Sequence, residues 1–246
     1  DNNNTLVDLV MDTQNADVLS EFIEKINFNS DSFLNVFLKL FDIKEQSYKM
    51  IVLLYEYDKE NDELINFNEL LPNGNSFFTS IHSDNELKNS FPNIEKIINF
   101  LLQNGANPNM PDKFNVYPLE HAIETKSIEF VSALLDSNKI DFSIKLKQNK
   151  KTFLHLAAES NFDIFKLILN KNVIDINSTD DNGETPLMYA CRYRKKKIIK
   201  LLFSEENLNF LHCNKKGEDA FEILSGIKSK EKLSRPKYFK QLMSEC

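Results

Sequence analysis

Apolar residues along this chain fall in short clusters with helical spacing. They read Val18-Leu19-Phe22-Ile23, Met50-Ile51-Leu53-Leu54, Ile97-Ile98-Leu101-Leu102, Phe130-Val131-Leu134-Leu135, Ile164-Phe165-Leu167-Ile168 and Ile198-Ile199-Leu201-Leu202. Positions i, i+1 and i+4 share one face of a helix, whereas a strand would send them to alternate sides. Each cluster is followed by a short polar motif: a small or aliphatic residue, Asn or Asp, an apolar residue or Pro, then usually Asn or Ser. The motif occurs at Ile26-Asn27-Phe28-Asn29, Ile65-Asn66-Phe67-Asn68, Ala106-Asn107-Pro108-Asn109, Ile140-Asp141-Phe142-Ser143, Ile174-Asp175-Ile176-Asn177 and Leu208-Asn209-Phe210-Leu211. Successive copies are 39, 41, 34, 34 and 34 residues apart, so the chain is an internal repeat.

A polar turn follows the motif, and then a second helix start. The turns include Pro72-Asn73-Gly74-Asn75, Asp112-Lys113-Phe114-Asn115, Asp181-Asn182-Gly183-Glu184 and Asn214-Lys215-Lys216-Gly217. Gly74, Gly183 and Gly217 suit a positive-φ turn position, and Asn115 can substitute for them. At the helix starts, Thr152 and Thr185 are expected to cap by accepting a backbone N–H. Pro186 fits the first helical position, where no hydrogen bond is lost. Ala157, Ala158 and Ala190 allow a neighbouring repeat to approach closely. Each repeat has more apolar surface than it can bury alone, so stacking is required.

The segment Asp180-Asp181-Asn182-Gly183-Glu184-Thr185-Pro186-Leu187-Met188-Tyr189-Ala190-Cys191 resembles an ankyrin repeat, whose hallmark is D-x-x-G-x-T-P-L-H-x-A-A. Thr152-Phe153-Leu154-His155-Leu156-Ala157-Ala158 and Tyr117-Pro118-Leu119-Glu120-His121-Ala122 are partial copies. Leu101-Leu102-Gln103-Asn104-Gly105-Ala106-Asn107-Pro108-Asn109 is similar to the family's L-L-x-x-G-A-x-x-N. The resemblance implies an all-α ankyrin-repeat solenoid of stacked helix–turn–helix units with β-hairpin-like finger loops. Read as a single domain over 1–246, the units fall at about 3–30, 31–69, 72–110, 112–144, 147–178, 180–212 and 214–245. The first two are degenerate, the first is expected to be a polar cap, and the last is a C-terminal cap ending in a helix at 236–244. An insertion at 79–93 is expected to be surface and tolerant of shortening.

Composition narrows the function. Only 5 glycines and 7 prolines in 246 residues argue against a turn-rich β protein. The formal net charge of −7 disfavours nucleic acid as the main ligand. No segment has the roughly 18 uninterrupted apolar residues of a membrane helix, and the N-terminus does not read as a signal peptide. Three cysteines without a CxxC pair suggest free thiols, hence an intracellular, cytoplasmic protein. The first residue is Asp1 rather than Met, which fits an excised region of a longer chain.

No catalytic motif is present, and neither a cofactor nor a metal is expected. His155 sits in the T-P-L-H slot, where the resemblance implies a bond to turn backbone; His121 could act similarly. Cys191 replaces a packing alanine, so it reads as a small buried hydrophobe rather than a nucleophile. Asp180-Asp181-Asn182-Gly183 lacks the later ligands of a calcium loop and reads as a turn tip. The run Arg192-Tyr193-Arg194-Lys195-Lys196-Lys197 reads as a solvated turn between helices, with a nuclear-import targeting signal or a patch for an acidic partner as the alternatives, and the acidic stretch at 58–63 as a solvated loop.

The resemblance also implies where a partner binds: finger tips and the exposed edges of first helices, on a concave surface. The tip positions are Lys113, Phe114, Val116, Asn149, Lys151, Asp181, Asn182, Glu184, Lys215, Lys216 and Glu218. The edge positions are Glu124, Thr125, Glu159, Ser160, Arg192 and Tyr193. Phe114 and Tyr193 are the natural aromatic anchors. The expectation is a non-catalytic scaffold with a protein partner and a monomeric default. The alternative is the regulatory or targeting region of an enzyme, channel or secreted effector.

Overall fold

The computed structural model describes residues 16–23, 47–61, 65–81 and 94–226. The motif at 26–29, His82, residues 82–93 of the insertion and the expected helix at 236–244 lie outside these. Among the described residues there are ten helices and no strand, only an isolated antiparallel bridge between Cys213 and Asp219. The chain divides into two compact units. One comprises Asp1–Pro118 with Asp136–Lys139, the other Leu119–Leu135 with Ile140–Cys246.

In the first unit α1 (Ala16–Phe22) packs on α2 (Ser47–Asn61), and α3 (Ile94–Gln103) follows. An aromatic cluster fills the interior. Phe67 stacks on Tyr55 with centroids 5.2 Å apart, and both Phe77 (5.0 Å from Phe67) and Phe100 (5.2 Å from Tyr55) meet these rings edge-on. Such pairs add roughly 0.5–1.5 kcal/mol each beyond area burial. Two expectations fail in this unit. The acidic stretch is not a loop at its start: Asp58 lies within α2, is only 3% exposed, and accepts from the Ile65 N–H at 3.0 Å. The carboxylate secures the chain where it re-enters after the helix. The insertion is not all surface either. Thr79, Ser80 and Ile81 are buried, continuing the apolar Phe77-Phe78 pair, and the Thr79 hydroxyl satisfies the Ser76 N–H at 2.9 Å.

The second unit contains α4 (Pro118–Glu124) except its first residue, α5 (Ile128–Asp136) except its last, α6 (Phe153–Glu159), α7 (Phe162–Leu169), α8 (Pro186–Arg192), α9 (Lys196–Leu202) and α10 (Ala220–Ser225). Helix α8 packs between α6 and α10, while α7 packs against both α6 and α9. Caps set the register. Thr152 and Thr185 accept from His155 N and Met188 N, Pro186 opens α8, and Asp219 caps α10 with Glu222 reciprocating. The buried alanines at 157, 158 and 190 allow the close approach of α6 and α8. Leu154 is fully buried there; truncating such a side chain costs about 2–5 kcal/mol.

The recurring polar motif has a structural reason. Its second residue folds the chain back on itself. Asn66, Asn107, Asp141 and Asp175 each accept from the N–H two residues on, at 2.9–3.0 Å. Its fourth residue ties one repeat to the next. The Asn68 amide donates to the Gly105 carbonyl at 3.0 Å and accepts from the Asn107 N–H at 2.8 Å. Asn177 makes the same pair with the Asn207 carbonyl and the Asn209 N–H, both at 2.7 Å. An asparagine can do this because its side chain carries a donor and an acceptor together. At the equivalent position Ser143 is too short, and its hydroxyl turns back onto Asp141 at 2.6 Å.

Candidate functional site

Each finger is closed by a backbone bond from its first residue to its last. These are Leu71 N–H to Asn75, Asp112 to Val116, Leu146 to Lys151, Asp180 to Glu184 and Asn214 to Glu218. Four fingers are five residues long, with the fourth residue at positive φ: Gly74, Asn115, Gly183 and Gly217. The finger at 146–151 is one residue longer and turns on two consecutive positive-φ residues, Asn149 and Lys150. Neighbouring fingers bond tip to tip: Asp181 N–H donates to the Asn149 carbonyl at 2.7 Å, and Lys215 N–H to that of Asn182 at 2.9 Å. In the first unit Lys113 N–H donates to the Gly74 carbonyl at 2.9 Å.

In the second unit, the three fingers at 146–151, 180–184 and 214–218 and the edge of α8 enclose an open cleft of about 390 Å³. Of the residues expected to bind, Asn149, Lys151, Asn182, Glu184, Arg192, Tyr193, Lys215 and Lys216 line it. Lys151 and Glu184 form its floor rather than protruding tips, since both are buried. Lys151 donates to Glu159 at 3.1 Å and lies 4.8 Å from the centre of the Tyr189 ring. Glu184 pairs with Arg192 and accepts from the Asn214 amide at 3.3 Å. These two ion pairs occupy equivalent positions of successive repeats, each spanning eight residues, with reversed polarity: cation then anion, and anion then cation.

The other expected residues lie elsewhere or do other work. Asp181 is exposed, and Glu218 accepts from the Asn214 amide at 3.1 Å. The Ser160 hydroxyl donates to the Ile123 carbonyl at 3.1 Å. Glu124 is exposed at the end of α4, and the Thr125 hydroxyl donates to the His121 carbonyl at 2.8 Å. Lys113, Phe114 and Val116 belong to a first-unit finger. There Phe114 is 61% exposed, with the Lys113 ammonium 5.0 Å from its ring centre, and Val116 N–H donates to Asp112 at 2.9 Å.

Three lining residues, Gln148, Tyr189 and Asn214, were not expected from the sequence. Tyr189 had a readable signal, because it precedes Tyr193 by four positions and so shares its helix face. Their rings stack with centroids 6.5 Å apart, leaving Tyr193 50% exposed. The Tyr189 hydroxyl donates to Asp180 at 3.0 Å. Burial first, and then that bond, push its pKa well above the ordinary phenol range. The Glu159 carboxylate raises that of Tyr193. Both phenols therefore remain neutral donors.

Two histidines bond the finger at 180–184. His155 Nε2 donates to the Glu184 carbonyl at 2.9 Å, while Nδ1 accepts from the Thr152 hydroxyl at 2.7 Å. Burial lowers its pKa to about 4. His212 repeats the tie to the Gly183 carbonyl at 2.9 Å, which the sequence reading missed. His121 lies edge-on to Phe130. Cys191 is buried, and burial pushes its thiol pKa upward, as suits a packing residue. Arg192 ends α8, Arg194 lies in the connection, and Lys196 and Lys197 begin α9; all four are exposed, while Lys195 donates to the Ser160 carbonyl at 2.7 Å. Among the described residues no cluster of His, Cys, Asp and Glu could hold a metal, and no helix is long and apolar enough to cross a membrane.

The family model for ankyrin repeats in three copies matches residues 89–180 and 163–225, together more than half of the chain. The chain belongs to the ankyrin-repeat family. It is 34% identical over 110 residues to the putative ankyrin repeat protein FPV223 of fowlpox virus, covering 44% of this chain and 74% of that protein. It is 31% identical over 120 residues to the putative ankyrin repeat protein R96 of Acanthamoeba polyphaga mimivirus, covering 48% of this chain but only 11% of the mimivirus protein. The crystal structure of the ankyrin repeat domain of Bcl-3 superposes with a TM-score of 0.61 at 18% identity, covering 79% of each chain. A chain from the complex of the predatory endopeptidase Bd0816 of Bdellovibrio bacteriovorus with the immunity protein Bd3460 gives 0.60 at 18% identity, covering 86% of this chain and 96% of that one. Ankyrin repeats are protein-interaction modules and generally not catalytic. In this ankyrin-repeat chain the finger cleft is where eight of the residues expected from the sequence to bind a partner converge.

Proposed function

We propose that this chain is a non-catalytic scaffold that binds a protein partner through its finger tips and the edges of its first helices. The observation that carries the reading is the finger cleft of the second unit. Asn149, Asn182, Arg192, Tyr193, Lys215 and Lys216 converge there above a floor already neutralised by the Lys151–Glu159 and Glu184–Arg192 pairs. The half-exposed Tyr193 supplies the kind of rigid aromatic anchor in which interface energy concentrates. Phe114 offers a second such anchor on a first-unit finger. The Bd0816–Bd3460 complex, in which a similar chain occurs, is a precedent for a protein partner.

A second reading is the regulatory or targeting region of a larger protein. It is favoured by the match to only 11% of the mimivirus relative. The full-length gene decides between the two. The test of binding is a paired measurement on Phe114→Ala with Tyr193→Ala. The expected outcome is loss of the natural partner in pull-down with a nearly unchanged melting curve. Capture at wild-type strength by the double variant would overturn the finger and helix-edge assignment.

A further inference from the structure

Residues 145–151 contain four lysines and no acidic residue, in a chain whose formal net charge is −7. The finger at 214–218 adds Lys215 and Lys216. Lys151 is committed to Glu159, and Arg192 to Glu184. Lys145, Lys147, Lys150, Lys215 and Lys216 are exposed, and among the described residues none of the five joins an ion pair. The acidic residues on the same three fingers, apart from the paired Glu184, are Asp180, which is buried and hydrogen-bonded to Tyr189, the exposed Asp181 and the half-buried Glu218. The finger tips are thus a local inversion of the charge of the whole chain.

We propose that these three fingers dock an extended, acidic polypeptide segment of the partner. The inference rests on the protein-binding reading and names the chemistry of what is bound. Unpaired lysines on two fingers attract carboxylates and set the encounter rate. The exposed Asn149 and Asn182 amides, each carrying a donor and an acceptor, match the peptide groups of an extended chain. Tyr193 lies beside them for an apolar or aromatic side chain of the segment. A nucleic acid fits less well. It would carry an unbroken run of phosphates past Asp181 and onto a chain that is acidic as a whole.

The experiment selects peptides from a random dodecapeptide display library on the immobilised chain. The best are titrated by fluorescence anisotropy, at low and high salt, beside an oligothymidylate of similar length. Two variants serve as controls, Lys215→Glu with Lys216→Glu, and Lys147→Glu with Lys150→Glu. These side chains are exposed, and the Lys215 N–H that bonds Asn182 is retained, so melting curves verify the fold. The expected result is Asp- and Glu-rich peptides that weaken about tenfold or more with each charge reversal and with salt. Selected peptides that are apolar or basic and indifferent to both reversals overturn the acidic assignment while leaving protein binding intact. Binding of the oligothymidylate alone, with the same sensitivity, assigns the fingers to nucleic acid and overturns both. Failure to select any peptide or to bind the oligothymidylate also overturns both.

Discussion

His155 Nε2 donates to the carbonyl of Glu184 at 2.9 Å, so a helix of one repeat holds the finger of the next. Burial keeps this imidazole neutral, with a pKa of about 4 against an ordinary value of 6.5. The unfolded chain therefore takes up the proton first as pH falls. Stability from this group is fully present above pH 6.5 and is lost between 6.5 and 4, on the order of 3 kcal/mol. Replacing His155 by Ala lowers stability at neutral pH but removes that slope. Urea melts of both forms at pH 7.5 and pH 5 check this, the difference between them shrinking in acid. A difference that is constant with pH contradicts a buried neutral imidazole.

Asn177 is expected to matter beyond its half-buried position. Asn177→Ala strips side-chain partners from the Asn207 carbonyl and the Asn209 N–H, at a cost of about 1–2 kcal/mol. The amide of Asn209 should exchange with solvent faster in the variant. Unchanged stability together with unchanged exchange would remove the motif's stitching role.

Two finger substitutions should act in opposite directions. Gly183 has φ +73°, and a Cβ there would meet the Lys215 backbone nitrogen at 3.2 Å. Gly183→Ala is expected to cost about 1–3 kcal/mol. Lys150 holds φ +53° without being glycine, so Lys150→Gly should gain up to about 1 kcal/mol. Thermal melts of both variants suffice, and the same sign for both would refute the backbone argument.

Helix α9 begins on Lys195 without a side-chain cap, with Lys196 and Lys197 in its first turn. Cations oppose the dipole at that end of a helix. Lys196→Glu should therefore stabilise by about 0.5–1 kcal/mol at low salt, with the gain fading as salt rises. A gain that persists in high salt would mean that another interaction is responsible.

Much of the fold was legible because the relevant interactions are local. Thr185 and Pro186 announce a helix start, Gly183 a positive-φ turn, and the spacing of Ile198, Ile199 and Leu202 a buried face. The candidate site was less legible because burial is decided by partners distant in sequence. Lys151 and Glu184 look like tip charges until Glu159 and Arg192, eight residues on, fold back over them. Asp58 reads as a loop residue until the Ile65 N–H returns to it. Thr79, Ser80 and Ile81 looked like insertion, but burial turns on the neighbouring Phe77 and Phe78, which no period of 33 residues exposes.

The reversed polarity of the two ion pairs gives adjacent repeats distinct identities. Had both repeats kept the same order, lysine would follow lysine at the finger base and glutamate would follow glutamate along the helices. Instead each of the two buried charges meets its opposite eight residues on, and the next finger base, Glu218, shares the Asn214 amide with Glu184. A chain assembled from interchangeable modules can slip by one module or trade modules with another molecule. Here a register that set two copies of the Lys151 repeat side by side would leave two buried ammonium groups on the cleft floor, which is costly. The pairs thus disfavour one wrong register between these two repeats.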